Sequence, residues 1–360
     1  MSKLIVNTGT LAAGGAERVL SVLSKPFADA FDEVQYVMWL DAKYPDIFYD
    51  IDPRVKIVRL SQESGSTKTW RQMLWYRQYV KRERPDVVMT FMIALCFTVT
   101  CSLVFSGAHQ VVALRNDPFQ MRRKWLRRLA TWSFYAPDVK GILVQTEAIR
   151  RFFESKKGLL KKTEVIYNPI VMDKQLVGAA VNAPKESTIV AVGRLSRQKQ
   201  PWILIKAFQK FSQSHPSYKL IFYGEGELRQ ELLLLAARLG IADKVKLPGR
   251  SKDVVKDILS ARIWVMTSMC EGMSNALMEA MCVGLPCIST KVSGATDLIK
   301  DGENGFLVDI EDVEAVAERL KMLAENEKLC NTIGRRAALV YEKLSAETIG
   351  QVWVDYLRGV

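Results

Sequence analysis

Apolar positions along the chain fall into two successive series. In the first, KLIVNTG is a continuous apolar run that predicts a buried strand, and GGAERVLSVLSKPFA repeats its apolar residues at helical spacing. The strand EVQYVMWL, the helix RQMLWYRQYVKRERP and the strands DVVMTF, QVVALRND and GILVQT continue the alternation. From Ser187 the pattern restarts with STIVAVGRL, a helix through PWILIKAFQKF, the strand YKLIFYGEGE and a helix through LRQELLLLAARLG. It closes with the strands VKLPGR, IWVMTS, PCIST and GFLVDI. Such alternation predicts parallel sheets with helices on both faces. Two doubly wound α/β domains are expected, spanning 1–168 and 169–345, with a last helix at 346–360 crossing back to the first. The segment IYNPIVMDKQL, where Asn168-Pro169 disfavours helix, is the expected crossover.

The run from Val87 to Phe105 holds 19 residues without a formal charge, long enough for a membrane span. The strand composition of DVVMTF and the Thr and Ser that follow predict a buried strand, a loop and a buried helix instead.

A length of 360 residues suits about two domains, and 49% hydrophobic with 25% charged residues is globular composition. MSKLIVNTG runs straight into strand-like sequence with no leader pattern, so a cytoplasmic protein is expected. Six cysteines form no CxxC pair and sit mostly in apolar runs, which predicts reduced thiols and no zinc. The net charge of +12 is uneven: residues 1–168 carry 26 basic against 16 acidic side chains, the remainder 25 against 23. The basic N-terminal half suits nucleic acid, anionic lipid or phosphorylated substrates, and charge alone does not choose among them.

The stretch EGMSNALMEAMCVGLP narrows the choice. Ser274 or Asn275 is an N-cap, Ala276 to Val283 are helix-compatible, and Gly284 with Pro286 stops the helix. Glu271 then lies in the loop feeding the helix and Glu279 roughly 6 Å inside it. Helical side chains lean toward the N-terminus, so both carboxylates reach the space before it, which already attracts anions. A ligand carrying both phosphate and polyhydroxyl rings satisfies this arrangement. GRLSRQKQP adds Arg194 and Lys199 at the carboxyl end of a strand, where open α/β sheets bind ligands. With no Walker-type loop present, these cations would bind a diphosphate through their side chains.

Together these residues resemble the family-4 retaining glycosyltransferases of the GT-B fold, two Rossmann-like domains facing across a cleft. The resemblance rests on Glu271 and Glu279 seven residues apart, the Arg194 and Lys199 loop, and the Gly14-Gly15-Ala16-Glu17 loop, and covers essentially the whole chain. The wording EGMSNALMEAM and RLSRQKQP is similar to the branch that builds capsule, O-antigen and lipid-linked oligosaccharides in bacteria. It implies an N-terminal acceptor domain and a C-terminal domain that binds a nucleotide sugar, UDP-linked, as co-substrate, with no other cofactor. Glu279 would hold the ribose, Arg194 and Lys199 the diphosphate, and Glu271 with the N–H groups of Gly272, Met273 and Ser274, beside Asn275, the donor sugar and nearer phosphate. Gly14 and Gly15 would let the first helix approach the phosphate.

One position departs from the family. Where many members carry a histidine facing the donor sugar, this chain reads Arg115-Asn116-Asp117-Pro118, and Arg115 and Asn116 are expected to take over hydrogen bonding to the sugar. His109 and His215 are expected at surface or turn positions. The Asp50-Ile51-Asp52 triplet is expected to be turn chemistry, leaving no metal site and activity that survives EDTA.

The second informative stretch is QMRRKWLRRLATW. On a helix Met121, Trp125, Leu129 and Trp132 form an apolar stripe flanked by Arg122, Arg123, Lys124, Arg127 and Arg128. It suits either a helix packed on its own domain or a surface that meets a membrane and a lipid-diphosphate acceptor, with Trp70, Arg71, Trp75 and Arg77 as an extension. The leading expectation is transfer of a hexose or N-acetylhexosamine to a polyprenyl-diphosphate-linked saccharide, by a protein peripheral on the inner face of the cell membrane. A soluble acceptor, small molecule or protein, is the alternative within the enzyme class. A basic nucleic-acid-binding protein is the alternative outside it, though that leaves Glu271 and Glu279 unexplained and shows no nucleic-acid-binding motif.

Overall fold

The computed structural model describes residues 2–115 and 124–360. Asn116, Arg122 and Arg123 lie outside these residues, as does the Lys124 side chain. The chain forms two compact units, Met1–Val171 with Leu344–Val360, and Met172–Lys343.

The first unit is a seven-stranded sheet of β1 (Lys3–Thr8), β2 (Glu33–Met38), β3 (Lys56–Arg59), β4 (Val87–Phe91), β5 (His109–Leu114), β6 (Val139–Val144) and β7 (Thr163–Val165). Its order is β3-β2-β1-β4-β5-β6-β7, every pair parallel. The apolar runs become the central strands because parallel strands are buried on both faces. β3 and β7 escaped the sequence reading: they are edge strands of four and three residues with mixed burial, too short to show a period. The charge-free run from Val87 splits into β4 and the helix Ile93–Leu103, and no helix among the described residues is long and apolar enough to cross a membrane.

The helix Ala346–Arg358 packs within this first unit. Ile170 N donates to the Leu344 carbonyl at 2.7 Å where the chain re-enters. Trp353, fully buried, meets Phe27 and Phe91 at ring separations of 6.3 and 6.1 Å. Two glycines permit the close approach. A Cβ at Gly350 would lie 2.9 Å from the Pro26 ring, and one at Gly141 would overlap the Tyr356 hydroxyl.

The second unit is a six-stranded parallel sheet of β8 (Thr188–Val192), β9 (Lys219–Tyr223), β10 (Val245–Gly249), β11 (Ile263–Met266), β12 (Cys287–Thr290) and β13 (Phe306–Val308), ordered β10-β9-β8-β11-β12-β13. Its core joins Ile189, Leu220, Ile263 and Ile288 of four neighbouring strands to Leu204 and Phe208 of the helix Pro201–Ser214. Strand order reverses between β1 and β4 in one sheet and between β8 and β11 in the other. At such a switch point the loops leave in opposite directions and open a crevice at the carboxyl ends of the strands.

Candidate functional site

The β8–β11 switch point gathers most of the predicted residues of the second unit. The loop after β8 carries Arg194, exposed, and Lys199. The loop after β11 leads through Glu271 into the helix Asn275–Cys282. Lys199 Nζ lies 2.6 Å from Glu271 Oε1, with both side chains mostly withdrawn from solvent. Arg194 and Lys199 line one pocket together with Thr267 and Ser268 at the end of β11.

The helix begins as its sequence indicates. Ser274 is the N-cap, its hydroxyl accepting from Leu277 N at 3.4 Å, and Asn275 is the first helical residue. Gly284 adopts φ +87° after the last turn, the left-handed stop that glycine supplies without strain. Met273 and Ser274 are buried, Gly272 and Asn275 half-buried. Glu279 is 8% exposed, and burial, aided by the Glu279 charge, pushes the Cys282 thiol up to about 12. A largely buried carboxylate is costly unless it is paired or hydrogen-bonded, and Glu279 sits on a helix whose residues from Leu277 to Cys282 are all buried.

Several residues that position the site were not singled out from sequence. Gln198 joins the two loops: its Nε2 donates to the Cys270 carbonyl at 2.9 Å and lies 3.5 Å from Glu271 Oε1, while its own carbonyl accepts from Met269 N at 2.8 Å. Thr267 Oγ1 donates to the Gln200 carbonyl at 3.0 Å, closing the same gap from the strand end. Gly224 has φ +147°, and a Cβ there would fall 2.0 Å from the Gly193 carbonyl oxygen. A Cβ at Gly294 would fall 2.1 Å from the Gly272 carbonyl oxygen, and Gly294 N donates to that oxygen at 3.1 Å. The G-x-G ending YKLIFYGEGE was the available signal for the first; the second required the fold.

In the first unit Gly14 caps the helix Gly15–Ala30 with extended backbone, and no atom lies within 4 Å of where a Gly15 Cβ would sit. Arg115, expected beside the donor sugar, follows β5. Its side chain turns inward, 5% exposed, with Nη1 donating to the Ile166 carbonyl at 3.1 Å and to Asn168 Oδ1 at 2.9 Å. The guanidinium lies 4.7 Å from the Trp353 ring and 5.2 Å from the Phe91 ring, and burial pushes its pKa down. Those contacts tie it to the C-terminal helix within the first unit, while its Nε and Nη2 are buried without a hydrogen-bond partner among the described residues.

Trp125 and Trp132 on the helix Lys124–Ser133 are 56% and 67% exposed, whereas Ala130 is buried in the core. The helix therefore packs through its small residues and turns both tryptophans outward. Arg128 is exposed beside them, and Arg127 lies 5.9 Å from the Phe152 ring. His109 is the exposed first residue of β5. His215 caps the helix Pro201–Ser214 at the turn that follows and stacks on Phe211 at 4.5 Å. Asp52 of the DxD triplet is held by Arg54 through bonds of 2.9 and 2.8 Å, which lower its carboxyl to about 2.

Comparison with known proteins agrees with this architecture. The family model Glycosyltransferase Family 4 matches residues 13–174, and the model Glycosyl transferases group 1 matches residues 175–340. An N-acetylgalactosamine-N,N'-diacetylbacillosaminyl-diphospho-undecaprenol 4-alpha-N-acetylgalactosaminyltransferase of Campylobacter jejuni is 27% identical over all of both chains. A GalNAc-alpha-(1->4)-GalNAc-alpha-(1->3)-diNAcBac-PP-undecaprenol alpha-1,4-N-acetyl-D-galactosaminyltransferase of the same organism is 24% identical over 100% of this chain and 99% of its own. Among solved structures, Anabaena HepE in complex with UDP superposes with a TM-score of 0.80 at 20% identity over the whole of both chains. The matched halves, the two parallel sheets and the strand-end site together make this chain a glycosyltransferase of the GT-B fold, assembled from a family-4 domain and a group-1 domain.

Proposed function

We propose that the protein transfers a hexose or N-acetylhexosamine, with retention of anomeric configuration, from a UDP-linked donor to a polyprenyl-diphosphate-linked saccharide in bacterial surface polysaccharide synthesis, whether capsule or O-antigen. The observation that carries this reading is the meeting of Lys199 with Glu271 at 2.6 Å before the N-terminus of the helix Asn275–Cys282. A diphosphate there takes the cations Arg194 and Lys199 and the helix N-terminus, and Glu271, relieved of part of its ion pair, accepts hydrogen bonds from sugar hydroxyls. Glu279, farther along the same helix, would accept from the ribose. As the glycosidic bond to the nucleotide breaks, charge develops on the leaving diphosphate, and preorganised cations lower that barrier without a metal.

Retention comes with the resemblance to the family. The lipid-linked acceptor is supported by the names of the two Campylobacter relatives, and the UDP donor by the HepE complex. The exposed Trp125 and Trp132 with Arg128 fit a membrane-facing helix of the acceptor domain, which would keep the protein peripheral on the inner face of the membrane. Two measurements test the reading. Thermal-shift screening against UDP, GDP and their sugar conjugates should show the largest rise with UDP species, because a ligand that binds only the folded state stabilises it by mass action. Radiolabelled transfer to an undecaprenyl-diphosphate-linked saccharide should exceed transfer to soluble sugars and proteins; a soluble acceptor that is preferred overturns the lipid-linked assignment.

A further inference from the structure

A further basic and apolar surface in the first unit is carried by the helix Thr69–Glu83 and the turn after the helix Ile93–Leu103. Residues 68–84 carry six basic side chains and one acid, Glu83. That acid is engaged by Lys3 at 2.7 Å, and the neighbouring Asp86 accepts from Lys3 N at 2.6 Å. On the helix Thr69–Glu83 the spacing of Trp70, Leu74 and Lys81 places them on one outward stripe, and all three are exposed. Arg77 ties this helix to the turn that follows the helix Ile93–Leu103, donating to the Ser102 and Val104 carbonyls at 2.9 Å each. The next residue, Phe105, is 80% exposed and has φ +57°. A left-handed backbone strains a phenylalanine where glycine or asparagine would sit at ease, and the ring gains no packing in return. Between helix and turn, Val80, Lys81, Arg84, Pro85, Ser106, Gly107 and Ala108 line a surface pocket of about 320 Å³.

We infer that this pocket binds the phosphate headgroup of an anionic phospholipid, with Phe105, Leu74 and Trp70 entering the acyl boundary around it. Each part needs the others. Lys81 and Arg84 supply positive charge that Asp86 offsets only in part, the pocket has the volume of a small-ligand site, and the strained Phe105 has a use only where an apolar phase meets it. The site shares with the proposed function the premise of work at a membrane, yet it stands on different residues and needs no acceptor.

The test is sedimentation of the full-length protein with phosphatidylglycerol/phosphatidylcholine vesicles and with phosphatidylcholine alone. Wild type should bind the mixed vesicles and not the neutral ones, and K81E/R84E should weaken that binding about tenfold or more. Phe105→Gly should weaken it several-fold while raising the melting temperature, because glycine relieves the left-handed strain. A protein that merely tolerates Phe105 would not show those opposite signs. Thermal shift by UDP should be the same in wild type and both variants. Binding by K81E/R84E within twofold of wild type, equal binding to neutral vesicles, or Phe105→Gly with full binding each overturns the site. If lipid-linked transfer is absent while vesicle binding behaves as described, the acceptor assignment fails and the headgroup site stands.

Discussion

Lys199 and Arg115 show what a charged residue's surroundings make of it. Both follow strands that end near a switch point, and sequence placed both at the donor. Lys199 passes beside Gly193, where an added Cβ would lie 3.4 Å from its Cε, and its Nζ meets Glu271 at 2.6 Å. Arg115 meets Trp353, Phe91, Ile166 and Asn168. Lys199 was legible because its partners stand in two short motifs of recognisable spacing. Arg115 was not, because Trp353 lies 238 positions away along the chain and a guanidinium gives no local sign of what covers it. Replacing Lys199 by Ala should lower turnover at saturating donor at least tenfold, since loss of one preorganised donor costs about 2.7–4 kcal/mol in comparable sites. Initial rates of sugar transfer by purified protein check this, and an unchanged rate contradicts it.

At the scale of elements, the site depends on backbones held closer than side chains would allow. Gly224 after β9 supports the turn that presents Arg194, and Gly294 supports the loop that presents Glu271. Gly224→Ala should therefore lower donor affinity as well as stability, because the new methyl pushes the Gly193 carbonyl away. Gly240→Ala is the control: it also has positive φ, +70°, but nothing lies within 4 Å, so it should cost only about 1–2 kcal/mol of backbone strain and leave donor titrations unchanged. The C-terminal helix depends on packing instead. Trp353→Ala removes a fully buried ring and its contacts with Phe27, Phe91 and Arg115, and should cost about 3–5 kcal/mol in denaturant unfolding. The long strands and helices were legible from periodicity, while β3 and β7, short and at sheet edges, acquire their identity only by pairing with β2 and β6.

Across the whole molecule, the excess positive charge belongs to residues 1–168, and both outward-facing basic aromatic surfaces lie there. The group-1 half is nearly neutral and holds the Lys199–Glu271 pair. Because Asp52 is committed to Arg54 and cations stand at the proposed diphosphate position, dialysis against EDTA should leave the transfer rate within about twofold; rescue by added magnesium or manganese would contradict a mechanism based on preorganised cations. Sequence by itself determined the alternation of strands and helices and the helix that begins after Glu271, and it singled out the Glu271/Glu279 and Arg194/Lys199 spacings, because each depends on residues close enough in sequence to leave a period or a spacing. Only the tertiary structure decided which strands adjoin, that Gln198 and Thr267 bind the two loops into one site, that Arg115 is interior, and that Trp125, Trp132 and Phe105 face outward. Those outcomes depend on which distant segments come to fill or leave empty the space around a side chain, and one residue's local pattern carries no record of that.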